Sequence, residues 1–107
     1  MNADFETTNA MFDKMSQDGF PIDSELKWGF YFVDSSKLKL DKVFKELSSS
    51  NYKFEQIEKI ENGLLQLHVS KIEKLGPEKL HRRNLAFNQL AEYCKVHSYD
   101  GWDVEKI

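Results

Sequence analysis

A chain of 107 residues has room for one domain and not for two, because single domains run to about 100–150 residues. With 40% hydrophobic and 13% aromatic residues it has enough apolar mass to fold, but its thin core leaves little room for an enclosed large cofactor. The formal charge of -3, from 15 Lys+Arg against 18 Asp+Glu, lacks the basic excess of a nucleic-acid-binding domain.

Residues 1–36 hold seven acids and two bases, whereas residues 37–53 hold five bases and two acids, so the chain is acidic early and basic on one later segment. The longest apolar runs, such as residues 29–33, are far short of the roughly 20 residues a bilayer span needs, and no signal-peptide core follows Met1. The single cysteine, Cys94, excludes an internal disulfide and a cysteine-only metal site. A cytoplasmic protein that needs no cofactor and no membrane is expected.

In chain order, residues 4–18 place Met11, Phe12 and Met15 on one side at helical spacing, with Gly19 as the stop. A turn through Pro21 follows. Residues 27–33 are rich in aromatic and β-branched side chains and predict a central strand. Trp28, Phe30 and Phe32 share one face, expected under the main helices. Tyr31 and Val33 share the other, expected to be partly covered by the first helix.

Asp34, Ser35 and Ser36 supply N-cap oxygens for a helix over 37–49, in which Leu40, Val43, Phe44 and Leu47 repeat at i, i+3, i+4 and i+7. Asn51 is expected to end it in the left-handed conformation. Residues 52–60 and 64–72 flank Asn62-Gly63, a strong type I′ hairpin signal. The second arm alternates cleanly, with Leu65, Leu67 and Val69 inward and Gln66, His68 and Ser70 outward. In the first arm Ile57 is out of phase with Tyr52 and Phe54, which predicts a bulge near Glu55 or Gln56. Pro77 opens the longest helix, expected to bury Leu80, Phe87, Leu90, Ala91 and Cys94 and to end near His97. A last strand runs over 99–105.

The expected fold is therefore α+β: a ferredoxin-like βαββαβ unit, with a four-stranded antiparallel sheet, two helices on one face and an extra N-terminal helix. A single domain spans 1–107, its N-terminal helix within 1–19 and its core over 27–106. Asp34, the hairpin tip at Glu61 and the start of the last strand at Asp100 share one end of the sheet, which gives an acidic rim.

The sequence offers little to catalysis. A nucleophile needs a base within reach, and Cys94 falls on an apolar stripe, where free cysteine is commonly a buried core residue. His97 is better placed to favour the end of its helix. His68 has no carboxylate or second histidine at ligand spacing, so no metal site is expected there. The basic cluster Lys79, His81, Arg82 and Arg83 suits a phosphate or a carboxylate-rich partner, although a solvated helix face is the commoner use. An RRM-type RNA-binding domain shares this topology, but residues 64–69 lack the required basic-Gly-aromatic pattern. P-loop, dinucleotide and paired-carboxylate motifs are lacking too.

An amphipathic acidic helix ending in Asp18-Gly19, the strand Phe30-Tyr31-Phe32, Leu90-Ala91-Glu92 on the long helix and above all the ending Tyr99-Asp100-Gly101-Trp102 resemble the RraB family, regulators of ribonuclease E. The resemblance implies a non-catalytic protein inhibitor that binds and down-regulates a ribonuclease. Members of that family look strongly acidic, with an acidic extension after the last strand, whereas this chain carries only -3. The chain also looks like an immunity protein that neutralises a toxin nuclease by covering its basic active site.

Either inhibitor needs acids aimed at a cationic protein surface. The candidates are Asp13, Asp18, Asp23 and Glu25 early in the chain, Asp34, Glu61 and Asp100 on the rim, and Trp102 as core edge or interface anchor. A monomer is expected; the alternatives are a dimer that buries Tyr31 and Val33, and an enzyme or small-molecule binder using the open sheet face.

Overall fold

The computed structural model describes residues 3–107. Its elements are α1 (Phe5–Gln17), β1 (Leu26–Asp34), α2 (Lys37–Ser48), β2 (Lys53–Lys59), β3 (Leu65–Glu73), α3 (Pro77–Cys94) and β4 (Ser98–Glu105). The four strands form one open sheet in the order β2-β3-β1-β4, with every neighbouring pair antiparallel. The fold is α+β, three helices with a four-stranded antiparallel sheet.

β1 organises the core because its alternate residues meet different worlds. Leu26, Trp28, Phe30 and Phe32 are buried under the helices. Phe87 of α3 meets Phe30 edge-on, with ring centroids 5.1 Å apart, and also touches Phe32, Tyr52 and Tyr99. Trp28 buries its ring under α1, where Phe12 stacks on it at 5.7 Å, and its indole N–H donates to the Glu73 carbonyl. That indole bond is what a buried tryptophan requires.

α1 therefore lies on the same face as α2 and α3, not on the opposite one as the sequence suggested. Its buried stripe is Thr8, Phe12 and Met15, spaced i, i+4 and i+7. Met11 falls one position off that stripe and is 45% exposed. Asp4 caps the helix, and Gly19 leaves it at a φ of 87°.

The hairpin tip has the predicted geometry. Asn62 and Gly63 both have positive φ, 59° and 72°, as a type I′ turn demands. The predicted bulge is present as well, since the β2–β3 register shifts between Phe54 and Gln56 and leaves Glu55 unpaired. Phe54 and Ile57 thereby reach the same face of the sheet. Asn51 takes the expected left-handed conformation, at a φ of 68°, in the turn after α2, whose cap is Ser49.

α3 stops at Cys94 rather than near His97. Lys95 turns left-handed, Val96 N–H donates to the Ala91 carbonyl and Lys95 N–H to the Glu92 carbonyl, the pairing that closes a Schellman end. The buried face of α3 also includes Asn84, which the apolar pattern did not mark; its Oδ1 accepts from the Tyr99 hydroxyl at 2.6 Å. Leu90 is only partly buried.

Asp34 ties three elements together at the end of β1. It is 7% exposed; one carboxylate oxygen accepts from Ser36 N–H at 2.9 Å and the other from His97 N–H at 2.8 Å. Ser36 in turn caps α2 by accepting from Lys39 N–H. Removing the carboxylate leaves two backbone donors without their charged acceptor, so Asp34→Ala is expected to lower stability by about 2–3 kcal/mol in urea unfolding, and Asp34→Asn by less.

Burial raises the phenol pKa of Tyr99 well above its ordinary value and that of Tyr52 to about 12. A group whose pKa is raised on folding contributes stability in full below its unfolded value, here 10.0, and loses it as pH climbs towards the folded value. Unfolding free energy measured between pH 9 and 12 should therefore fall from about pH 10 upwards. Tyr99→Phe should flatten that slope.

Candidate functional site

The sheet face away from the helices is a connected polar surface. β1 places Lys27, Gly29 and Tyr31 there, with Val33 on the same side but buried, and in register β3 brings Gln66, His68 and Ser70 beside them. Tyr31 and His68, directly opposite each other, stack with centroids 4.5 Å apart and planes 16° apart. The Tyr31 hydroxyl donates to Asp103 Oδ2 at 2.6 Å. Gln66 donates to Asp100 at 3.4 Å. Ser70 donates to Glu55, which is also paired with Lys27 at 3.1 Å. The bulge that frees Glu55 from the β2 ladder is what delivers its carboxylate to this pair. Gln66, His68 and Ser70 face outward as their alternation predicted, yet Ser70 is buried beneath Glu55.

Gly29 makes the cluster possible. A Cβ at that position would overlap the Asp103 carboxylate and sit 2.7 Å from His68 Nε2. Glycine inside a strand commonly marks such a close approach.

The surface is negative. Desolvation comes first in raising the Tyr31 phenol far above its ordinary value, followed by the hydrogen bond to Asp103 and the charges of Asp103, Glu105 and Glu58. Glu55 is held below the usual carboxylate range, first by the Ser70 hydroxyl and then by Lys27.

A second irregularity sets which β4 acids face this surface. The β1–β4 register shifts between Tyr31 and Phe32, so Asp100 is extra and Gly101, at a φ of 114°, lies opposite Tyr31. Tyr99 and Trp102 both turn to the helix side, while Asp103 and Glu105 turn to the open side. Sequence reasoning missed Asp103 and Glu105 because strict alternation cannot hold Tyr99 and Trp102 on one face; the glycine at 101 was the available signal.

The acids singled out from the sequence do not gather into one patch. Asp34, Glu61 and Asp100 do share one end of the sheet, as the register of Asp34 with Leu65 and of Val33 with Ser98 requires. Asp34 is buried and committed to backbone donors, while Glu61 and Asp100 are exposed. Asp23 and Glu25 precede Leu26 at the opposite end of β1, a strand of nine residues that spans about 27 Å. Asp13, Asp18, Asp23 and Glu25 are all exposed.

Trp102 is half-buried. It packs on Trp28 at 5.7 Å and borders a shallow groove of about 260 Å³ beside the β4 edge, with Met11, Met15, Val104, Asp18, Asp103 and one cation, Lys14. One part of the ring thus fills the core edge and the rest lines the groove.

Cys94 is buried, and burial pushes its thiol up; His97 lies beyond the helix end and is exposed. Arg83 leaves the basic cluster altogether: it holds Glu73 through two bonds of 2.6 and 2.9 Å and lies over the rings of Phe30 and Tyr52. Among the described residues no group of three or more His, Cys, Asp or Glu is arranged to hold a metal ion, and no helix is long and apolar enough to cross a membrane.

Gly29→Ala is expected to force Asp103 and His68 aside and break the Tyr31 hydrogen bond. The overpacking should cost about 1–3 kcal/mol in urea unfolding while leaving the far-ultraviolet circular dichroism unchanged.

Comparison with protein families matches residues 5–104 to the family described as Regulator of ribonuclease activity B. Comparison with curated proteins gives no match.

Proposed function

The chain belongs to the RraB family, regulators of ribonuclease activity, since the family pattern covers residues 5–104 of its 107, and from that premise we propose that it is a non-catalytic inhibitor of ribonuclease E. The family match is the observation that carries this reading. We take the protein to act as a monomer in the cytoplasm. We also read residues 27–106 as a ferredoxin-like core, supported by the β-α-β-β-α-β order around the sheet β2-β3-β1-β4.

A ribonuclease must present cations to its polyanionic substrate, so a protein that competes for the same surface gains from fixed carboxylates. Asp103 and Glu105 supply them on the open face, with Asp100 at its rim, and Trp102 with Met11 offers an apolar anchor in the adjoining groove. Acids pre-positioned by a sheet lose little freedom on binding, and aromatic anchors beside a charged rim are the usual composition of an energetically dominant contact. Asp13, Asp18, Asp23, Glu25 and Glu61 would then be rim charges that steer approach.

Purified ribonuclease E should be inhibited stoichiometrically by the full chain. Reversing three charges, Asp100→Lys, Asp103→Lys and Glu105→Lys, should slow association by about tenfold or more at low salt and flatten its salt dependence, as measured by surface plasmon resonance. Trp102→Ala should act instead by raising the dissociation rate. Absence of binding by the parent chain would remove ribonuclease E as the partner.

A further inference from the structure

The basic stretch around Lys79 to Arg83 plays no part in the acidic surface, and the structure divides it. Arg83 turns to Glu73, and His81 meets the Phe5 ring edge-on at 5.7 Å. Lys79 and Arg82 remain exposed and line a cavity of about 690 Å³ together with Lys74, Phe5, Asn9 and Glu78. Three segments meet there: the first turns of α1, the loop after β3 and the start of α3.

Three cations and one carboxylate leave this cavity strongly positive on a chain whose net charge is negative. Among the described residues no ion pair joins Lys74, Lys79 or Arg82 to an acid, although Arg83, Lys27 and Lys37 each have one. Lys79 and Arg82 stand at i, i+3 on one helix, where like charges repel, and a bound anion would turn that repulsion into attraction. Arginine's planar fork suits phosphate oxygens, and lysine adds a point charge. Opposite the cations, Phe5, 38% exposed, offers an aromatic surface, and Asn9, one turn further along α1, offers an amide donor and acceptor. The volume falls within the range of about 300–1,000 Å³ typical of small-molecule sites.

We propose that this cavity binds a small organic phosphate monoester, with the phosphate among Lys74, Lys79 and Arg82 and the organic ring over Phe5 beside Asn9. The site is separate from the ribonuclease surface, and its test involves no nuclease.

Adenosine 5′-monophosphate serves as the probe, titrated into the full chain at low salt and followed by calorimetry and by amide shifts of residues 74–82. Saturable binding is expected, about tenfold or more tighter than that of inorganic phosphate or adenosine, and weakened about tenfold or more by the double variant Lys79→Gln, Arg82→Gln. Phe5→Ala should weaken the nucleotide and leave inorganic phosphate unchanged. Thermal unfolding of each variant confirms that these exposed substitutions leave the fold intact. No saturation at millimolar nucleotide, affinity no better than that of inorganic phosphate, or indifference to the double variant would each overturn the proposal.

Discussion

Everything in this structure is built against the aromatic side of β1. Trp28, Phe30 and Phe32 lie on the central strand, and each is at most 1% exposed. Around them close Phe12 from α1, Phe87 from α3, Tyr52 just before β2 and Tyr99 from β4. A domain of this size buries a limited share of its surface, so its stability depends on a few large side chains packed edge to face and not on an extensive core. That one face is so heavily used frees the other for polar groups.

The opposite face is possible because two irregularities re-phase the outer strands. The bulge at Glu55 brings a carboxylate over Ser70 and Lys27, and the shift at Asp100 turns Asp103 towards Tyr31. Gly29 supplies the gap into which Asp103 and His68 fit. Each device costs ladder hydrogen bonds or side-chain packing locally, and each places a charged group where strict alternation would not. A surface whose charges are already hydrogen-bonded in place is suited to binding a partner without rearrangement.

Charge is also separated in space. Carboxylates line the β4 edge and the open face, while three cations without ion pairs, Lys74, Lys79 and Arg82, meet at the junction of α1 and α3. The net charge of -3 conceals this division, since summed charge carries no information on where side chains converge.

Much of the architecture was legible in the sequence because it follows from local rules. Periodicity located α2 and α3, Asn62-Gly63 fixed the hairpin turn through its need for positive φ, and the phase break in 52–60 announced the Glu55 bulge. The family pattern was legible in Tyr99-Asp100-Gly101-Trp102. Tertiary structure alone decided which face α1 covers, because a single buried stripe does not say what it packs on. It also withdrew Asp34 from the surface, since a carboxylate able to steer a partner is equally able to accept from Ser36 and His97, and only the fold brings those donors to it. Asp103 and Glu105 gained their place from the register shift at Asp100, a property of strand pairing that no single strand encodes.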